Sequence, residues 1–464
     1  MISEKTNWPT AFTERIRKQF PETAEEFLES LDFQSKVSVR LNPGKFDRKF
    51  GLEQVPWSSN AYFLDERPLF TLDPLWHAGA YYAQEASSMF LEQVFQQIQT
   101  GHPRLILDLC AAPGGKSTHL NSLMQADDLL VANEVIRARV PVLIENLSKW
   151  GHSNFLVSSS DPAQFGKTGA LFDVLVVDAP CSGEGLFRRD PAAANEWSLE
   201  NAGHCAVRQR RILAESRYCL KSGGYLIYST CTFNPAENEE NLSWLKNQGG
   251  FKSIRVPVLP GWQVDELEYD GIWAYRFLPH KTKGEGFFIA LLQKTEESRP
   301  VRFPGRFKTK LQKPAVVSQN WVLQPETKKF FQHQDQLKFI PAAWEKEILL
   351  LFEQVNLVKA GTTMGLVKKH DVLPEHELSM CLDLNRSAFP RAELLPEDAI
   401  RYLARDQFRL NDQNENWLLA TFREIPLGFI KNLGSRFNNY YPKEWRLRMQ
   451  ARPENKLWYD RDFF

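Results

Sequence analysis

The chain has 464 residues, with 57 Lys and Arg against 57 Asp and Glu, and so no formal net charge. With 43% hydrophobic and 25% charged residues it has the make-up of a globular protein with a sizeable core, and no apolar run approaches the roughly 18 residues that a membrane span needs. Six cysteines without a Cys-x-x-Cys pair argue against a disulfide scaffold and a zinc site, so no metal is expected and free thiols in a reducing cytoplasm are. Met1–Lys5 has no signal-peptide pattern. Electroneutrality further means that any RNA or DNA partner must be met by basic residues gathered on one face.

Length predicts about three domains at roughly 150 residues each. Residues 1–95 read as a small α+β domain: 24–31 has helical spacing, 35–43 alternates like a strand that stops at Pro43, and 82–95 reads as one long amphipathic helix. From 96 to 295 strand, loop and helix repeat. Strands are predicted at 104–109, 129–133, 174–177, 225–229 and 286–292, with helices at 137–149 and 207–220, the latter closed by Gly223-Gly224. Such alternation predicts a mostly parallel sheet with helices on both faces, an α/β core. The polar, proline-bearing stretch 296–315 reads as a linker. Residues 316–385 then read as a small domain with a helix at 345–355, and 386–464 as a last one with a strand at 417–422 and a strand-to-turn unit at 428–439.

The first strand-end motif is Asp108-Leu109-Cys110-Ala111-Ala112-Pro113-Gly114-Gly115-Lys116. A phosphate-binding P-loop needs a glycine five positions before Gly115, and position 110 is cysteine; Gly-x-Gly-x-x-Gly is also absent. What remains is Asp108 at a strand end, a glycine pair that lets a ligand approach the backbone, and Glu134 after the second strand, where a carboxylate takes a ribose hydroxyl. A ribose acceptor without a phosphate clamp suits S-adenosylmethionine better than NAD or ATP. Asp161 is a candidate acceptor for the adenine amine, and before Pro162 it also has the signature of a helix cap.

Two further strand-end motifs each present a thiol, Cys181 in Val177-Asp178-Ala179-Pro180-Cys181-Ser182-Gly183 and Cys231 in Ser229-Thr230-Cys231-Thr232-Phe233. Thiols beside a methyl-donor loop point to covalent catalysis on an electrophilic ring. C5 of cytosine cannot attack a methyl group unaided, but a thiolate adding at C6 makes C5 enamine-like and nucleophilic. Asp178 is the candidate acid near N3, a role that requires burial to raise its pKa. The competing reading is that both cysteines merely pack, as Cys205, Cys219 and Cys381 are expected to do. The residues alone do not rank the two thiols, since Pro180-Cys181 has the form of the Pro-Cys nucleophile of DNA cytosine methyltransferases.

Taken together, the three motifs, in this order and at these separations, resemble the RNA (cytosine-5) methyltransferases of the Sun/Nop/RsmF family. Arg40-Leu41-Asn42-Pro43, 81–89 and 279–290 look like its flanking signatures, so the resemblance covers about residues 35–293. The tail, with Asn438-Asn439-Tyr440-Tyr441-Pro442-Lys443, looks like the PUA-like C-terminus of the bacterial ribosomal RNA enzymes of RsmF type. The resemblance implies a Rossmann-like S-adenosylmethionine-dependent core and RNA cytosine-5 methylation, with small-subunit ribosomal RNA as the favoured substrate. It implies a cofactor site of Cys110, Ala111, Ala112, Pro113, Gly114, Gly115, Lys116, Glu134, Asp161 and Asp178. It also decides the thiols: Cys231 as nucleophile, Cys181 as the residue that helps release product. A transfer RNA substrate, or a non-catalytic RNA-binding assembly factor, are the alternatives.

Basic residues gather in the tail, where Lys431, Arg436, Lys443, Arg446, Arg448, Arg452 and Lys456 are interleaved with Phe437, Tyr440, Tyr441 and Trp445. Cations for phosphates and rings for stacking bases suit RNA. Arg208, Arg210, Arg211 and Arg217 make a second cluster near the catalytic motifs, and solvated faces are the plainer reading of both.

Overall fold

The computed structural model describes residues 8–46, 51–314, 317–369, 371–410 and 416–449. At the N-terminus Val37–Leu41 (β1) is the middle of a three-stranded antiparallel sheet between Ala61–Leu64 (β2) and Tyr81–Ala83 (β3). Here the single helix expected over 82–95 is not found. Tyr82 pairs with Arg40 in the sheet, and the Glu85 carboxylate then accepts the N–H groups of Ser87 and Ser88 (2.7 and 2.8 Å), so that the helical turns begin only at Ser87. A side chain that captures two backbone donors in this way starts a helix where period alone does not.

The centre is a ten-stranded sheet. Leu105–Asp108 (β4), Leu129–Asn133 (β5), Phe155–Ser158 (β6), Phe172–Asp178 (β7) and Leu220–Thr230 (β8) lie parallel in the order β8-β7-β4-β5-β6. Their unbroken apolar runs are what two covered faces require. Successive side chains feed opposite cores: Ile106, Leu130, Val174 and Ile227 on one face, Leu105, Leu107, Leu175 and Leu226 on the other. Phe251–Ile254 (β9), Asp265–Tyr269 (β10), Ile272–Phe277 (β11) and Phe287–Lys294 (β12) extend the sheet antiparallel beyond β8.

The helix expected from 207 to 220 starts eight residues earlier and spans Leu199–Ser216. Ser198 caps it by accepting the Asn201 N–H (3.0 Å), a start signal masked by the alanine- and glycine-bearing turn that follows. Gly223 and Gly224 do not close it. They lie inside β8, where the β7 register jumps from Phe172–Leu220 to Val174–Tyr225, and Gly223 takes φ +77° there.

Residues 296–314 lie along the central sheet: the Ala170 N–H donates to Arg299 O (3.1 Å), and Val301, Phe307 and Leu311 pack on its core. Lys328–His333 (β13) and Gln336–Pro341 (β14) follow. The helix Glu345–Gln354 leads into Leu357–Ala360 (β15), which leaves its neighbours to pair with β6 at the edge of the central sheet. Thr362–Lys368 (β16) and Asp371–Pro374 (β17) complete a four-stranded sheet with β13 and β14. The last sheet is Arg391–Glu393 (β18), Trp417–Phe422 (β19), Ile425–Asn432 (β20) and Phe437–Asn439 (β21), sharing a core with the N-terminal sheet. No helix among the described residues is long and apolar enough to cross a membrane.

Candidate active site

Strand order reverses between β4 and β7, and a crevice opens there at the C-terminal ends of parallel strands. Asp108 ends β4 and Asp178 ends β7, so both carboxyls sit at that crevice. Gly114, at φ +115°, turns the chain into the helix Gly115–Leu123. The loop is tied down from behind: the Ala111 N–H donates to Asn133 O (2.8 Å), Asn146 Nδ2 to Pro113 O (2.8 Å) and the Arg139 guanidinium to Ala112 O.

Asp108 is fully buried. One of its oxygens accepts the Ser117 hydroxyl (2.6 Å), while the other has no partner among the described residues. Burial pushes its pKa up to about 7. Glu134 is buried beside the loop, accepting the Ile136 N–H (2.8 Å) and facing Arg139 at 3.4 Å. An unsatisfied buried oxygen and a glycine pair after β4, with a second carboxylate after the neighbouring β5, fit a polar, ribose-bearing ligand. Asp161 caps the short helix Pro162–Gly166, and its carboxylate also pairs with Arg211 (2.8 Å).

The two thiols stand together. Cys181 Sγ and Cys231 Sγ are 3.0 Å apart, carried by the loops after the adjacent parallel strands β7 and β8. The shared contact with Cys231, and then burial, push the Cys181 thiol well above the usual range. Burial likewise raises Cys205, Cys219 and Cys381, the last two to about 12, which leaves them inert packing groups. Asp178 departs from expectation. It is not sealed in an apolar pocket but takes Lys116 Nζ (2.9 Å) and the Ser229 hydroxyl (2.8 Å), with its side chain 31% exposed. Lys116 also lies 5.0 Å from the Phe287 ring.

The residues that fix this geometry were not legible from the motifs. Glu237 accepts the Ser182 N–H (2.9 Å) and Gln209 Nε2 (2.9 Å), and the same amide nitrogen donates to Pro180 O (2.9 Å). Asn238 accepts the Thr230 hydroxyl (2.6 Å) and donates to Thr232 O (2.9 Å). Glu184 accepts the Phe233 N–H (3.1 Å). A backbone bond from Gly185 N–H to Cys231 O (2.9 Å) joins the two thiol loops directly, and a Cβ at Gly185 would stand 2.4 Å from Gly286 O.

The basic tail is only partly what its composition suggests. Phe437 and Tyr441 are buried core side chains, Tyr440 packs against Trp417 (4.5 Å), and Trp445 packs against His376 (5.2 Å), so the rings hold the domain together. Arg436, Lys443, Arg446 and Arg448 are exposed, whereas Arg452 and Lys456 lie outside the described residues. In the second cluster Arg211 is bound to Asp161, Arg210 to Asn241 and Arg217 to Glu296.

Three sequence families match the chain in succession: the N-terminal domain of 16S rRNA methyltransferase RsmF over residues 8–86, 16S rRNA methyltransferase RsmB/F over 96–293, and the RsmF PUA domain over 389–447. The chain is similar to ribosomal RNA small subunit methyltransferase F of Escherichia coli O9:H4, at 31% identity over 96% of this chain and 98% of that one. To the protein of that name from Salmonella agona it is 30% identical, with the same coverage. Among solved structures it resembles a methyltransferase homolog protein from Pyrococcus horikoshii, at a TM-score of 0.53 and 27% identity over 62% of this chain and 96% of that one. It shares a fold with NSun6 of the same organism, solved with SFG, at a TM-score of 0.54 and 20% identity over 63% of this chain and 100% of that one. The central sheet is therefore a Rossmann-like methyltransferase core, and the chain belongs to the ribosomal RNA small subunit methyltransferase F family of S-adenosylmethionine-dependent enzymes.

Proposed function

We propose that this chain methylates C5 of cytosine in RNA, with small-subunit ribosomal RNA as the substrate, through a bond between Cys231 Sγ and C6. The observation that carries the reading is the 3.0 Å approach of two thiols beside the Lys116–Asp178 pair. Cytosine C5 methylation needs one sulfur to add at C6 and help for that sulfur to leave, within the width of one ring. The similarity to ribosomal RNA small subunit methyltransferase F supports the ribosomal substrate.

S-adenosylmethionine supplies an electrophilic methyl sulfonium when bound. The loop Cys110–Lys116, with Asp108 behind it, would hold the amino-acid part; Glu134 would take the ribose hydroxyls and Asp161 the adenine amine. The target base leaves its stack to enter the crevice. Cys231 adds as thiolate to C6, and the electron density displaced toward N3 meets the Asp178 and Lys116 pair, which offsets it with a hydrogen bond or proton. C5 would then take the methyl group as its bond to the sulfonium sulfur breaks, with S-adenosylhomocysteine as the leaving group, and would afterwards give its proton to solvent water. The C5–C6 double bond re-forms and the Cys231–C6 bond breaks. Cys181 keeps its own proton, so it donates to the Cys231 sulfur as that sulfur departs.

The test is nucleoside mass spectrometry after incubation with S-adenosylmethionine and either small subunits, their RNA, or transfer RNA. 5-methylcytidine in the ribosomal samples is expected. Its appearance in transfer RNA alone would move the substrate, and no methylated nucleoside anywhere would leave an RNA-binding assembly factor. A second expectation concerns the cofactor: Glu134→Ala should weaken S-adenosylhomocysteine binding, measured by calorimetry, roughly tenfold to a hundredfold, the worth of charge-assisted hydrogen bonds to the ribose. An unchanged dissociation constant removes Glu134 from that role.

A further inference from the structure

The contact between the two thiols has a chemistry that needs no RNA. Cys181 Sγ and Cys231 Sγ stand 3.0 Å apart, and a disulfide is about 2.0 Å long, so the sulfurs have only about 1 Å to close. The protein itself sets this approach. Asp178 and Ser229 pair across β7 and β8, with Cys181 three residues beyond the one and Cys231 two beyond the other. The residues that follow the thiols are tied together, Ser182 Oγ to Thr232 Oγ1 at 2.9 Å, and Glu237 accepts the Ser182 N–H (2.9 Å). The Gly185 N–H donates to Cys231 O (2.9 Å), so both loops are fixed around the sulfurs.

Both thiols are partly exposed, whereas Cys205, Cys219 and Cys381 are buried. Cys110 is partly exposed as a residue, yet desolvation of its sulfur, with the charges of Asp108, Asp178 and Glu134, pushes its thiol up. The pair itself is asymmetric. Cys231 has to be a thiolate to add to C6, and the thiolate is the form that a peroxide oxidises. The Lys116 ammonium interacts with it electrostatically. Cys181 keeps its proton, first through its hydrogen bond to Cys231, then through burial and the charge of Cys231. Oxidation of Cys231 removes that bond and that charge, and so frees the Cys181 sulfur to act next.

We infer that Cys231 and Cys181 close into a reversible disulfide when hydrogen peroxide enters the crevice, and that this bond switches methyl transfer off while sparing the nucleophile from irreversible oxidation. The loss of activity rests on the reading of Cys231 as nucleophile given above; the bond itself rests on the geometry of the pair. The Cys231 thiolate attacks one peroxide oxygen, the O–O bond breaks, and the other oxygen leaves as hydroxide. Sulfur has then lost two electrons and is a sulfenic acid. Cys181 gives its proton to that hydroxide, forming water, and its sulfur bonds the Cys231 sulfur as the S–O bond breaks and a second hydroxide leaves. A dithiol reverses the bond by exchange. Without Cys181 the sulfenic acid is open to further oxidation to a sulfinic acid, which thiols do not reduce.

In the experiment, full-length protein is reduced, freed of reductant and exposed to hydrogen peroxide. Intact mass, peptide mapping without reductant and methyl transfer to small-subunit RNA are then read on the same samples. The wild type should lose two hydrogen atoms, yield a linked peptide that holds Cys181 and Cys231, and lose methyl transfer in proportion to the linked fraction. Dithiothreitol should restore all three. Cys181→Ala should instead gain two oxygen atoms at Cys231 and keep them in dithiothreitol. The linked peptide is read in the wild type, so the folding of the variant does not enter. Three results overturn the inference: a wild-type pair that stays reduced, a sulfinic acid at Cys231 with no linked peptide, or a linked enzyme that still methylates. A linked, reducible pair in a protein whose reduced form methylates no RNA upholds the disulfide and overturns the function proposed above, so the two failures are distinct.

Discussion

Cys231→Ala is expected to lose methyl transfer by roughly 10⁴-fold or more, the scale seen when a covalent nucleophile is removed, while Cys181→Ala is expected to halt on the RNA as a covalent adduct. Both expectations follow from the placement of the sulfurs. Cys231 is the first residue after β8, and its carbonyl is pinned by the Gly185 N–H, so its position relative to the crevice is fixed by backbone. Cys181 is held as a thiol by burial and by its neighbour, and a proton-bearing sulfur is the wrong form to attack C6. With Cys231 gone, no thiolate lies in place. With Cys181 gone, the addition still occurs, but the departing sulfur has lost its adjacent donor. A denaturing gel of protein incubated with S-adenosylmethionine and ribosomal RNA reads both at once. An adduct that grows in Cys181→Ala and vanishes in Cys231→Ala fits these roles. The opposite pattern exchanges them, and a competent enzyme with no adduct in any lane sinks the covalent route.

The candidate residues could be placed together because each ends or follows an apolar strand in a distinctive motif, and a parallel sheet brings such ends together without further instruction. Asp108, Asp178, Cys181 and Cys231 were all placed this way. The groups that hold them were not. Glu237, Asn238 and Gln209 are polar residues near helix starts or on a helix face, indistinguishable in sequence from caps and solvated positions; Glu237 and Gln209 become buried partners through pairings 28 to 55 residues apart, and Asn238 through Thr230 and Thr232, 8 and 6 residues away. The error at 82–95 has the same root, since the side chain of Glu85 decided where the helix began. The tail rings illustrate the reverse case: Phe437 and Tyr441 carry the composition of a stacking surface, yet β21 and the turn after it point them into a core shared with the N-terminal sheet. Asp178 stands at the strand end that its motif implied but in other surroundings, because a lysine 62 positions away in the glycine loop supplies its partner.

Glu184→Ala is expected to cost about 3–5 kcal/mol of stability, the range for stranding one member of a buried ion pair, and to lower activity as well. Glu184 is fully buried and serves three donors from three parts of the chain: Arg15 of the first helix (2.6 Å), Trp197 Nε1 (3.0 Å) and the Phe233 N–H (3.1 Å). Around it Trp8, Phe12, Phe187 and Trp197 form a compact aromatic cluster that joins the N-terminus to the catalytic loops. Removing the carboxylate leaves an Arg15 guanidinium that is only 16% exposed with Gln19 Oε1 (2.6 Å) as its remaining acceptor, together with two buried N–H groups that have lost theirs. The loss therefore exceeds the worth of any one hydrogen bond. Activity follows stability here because Phe233 lies two residues beyond Cys231, so slack in its N–H displaces the nucleophile. Chemical denaturation of Glu184→Ala, Arg15→Met and the double variant separates the terms. If the stranded charge dominates, the double variant is more stable than Glu184→Ala alone. If the double variant loses the sum of the two single losses, the guanidinium finds water when its partner is removed, and the cost of Glu184→Ala lies in the Trp197 and Phe233 donors instead.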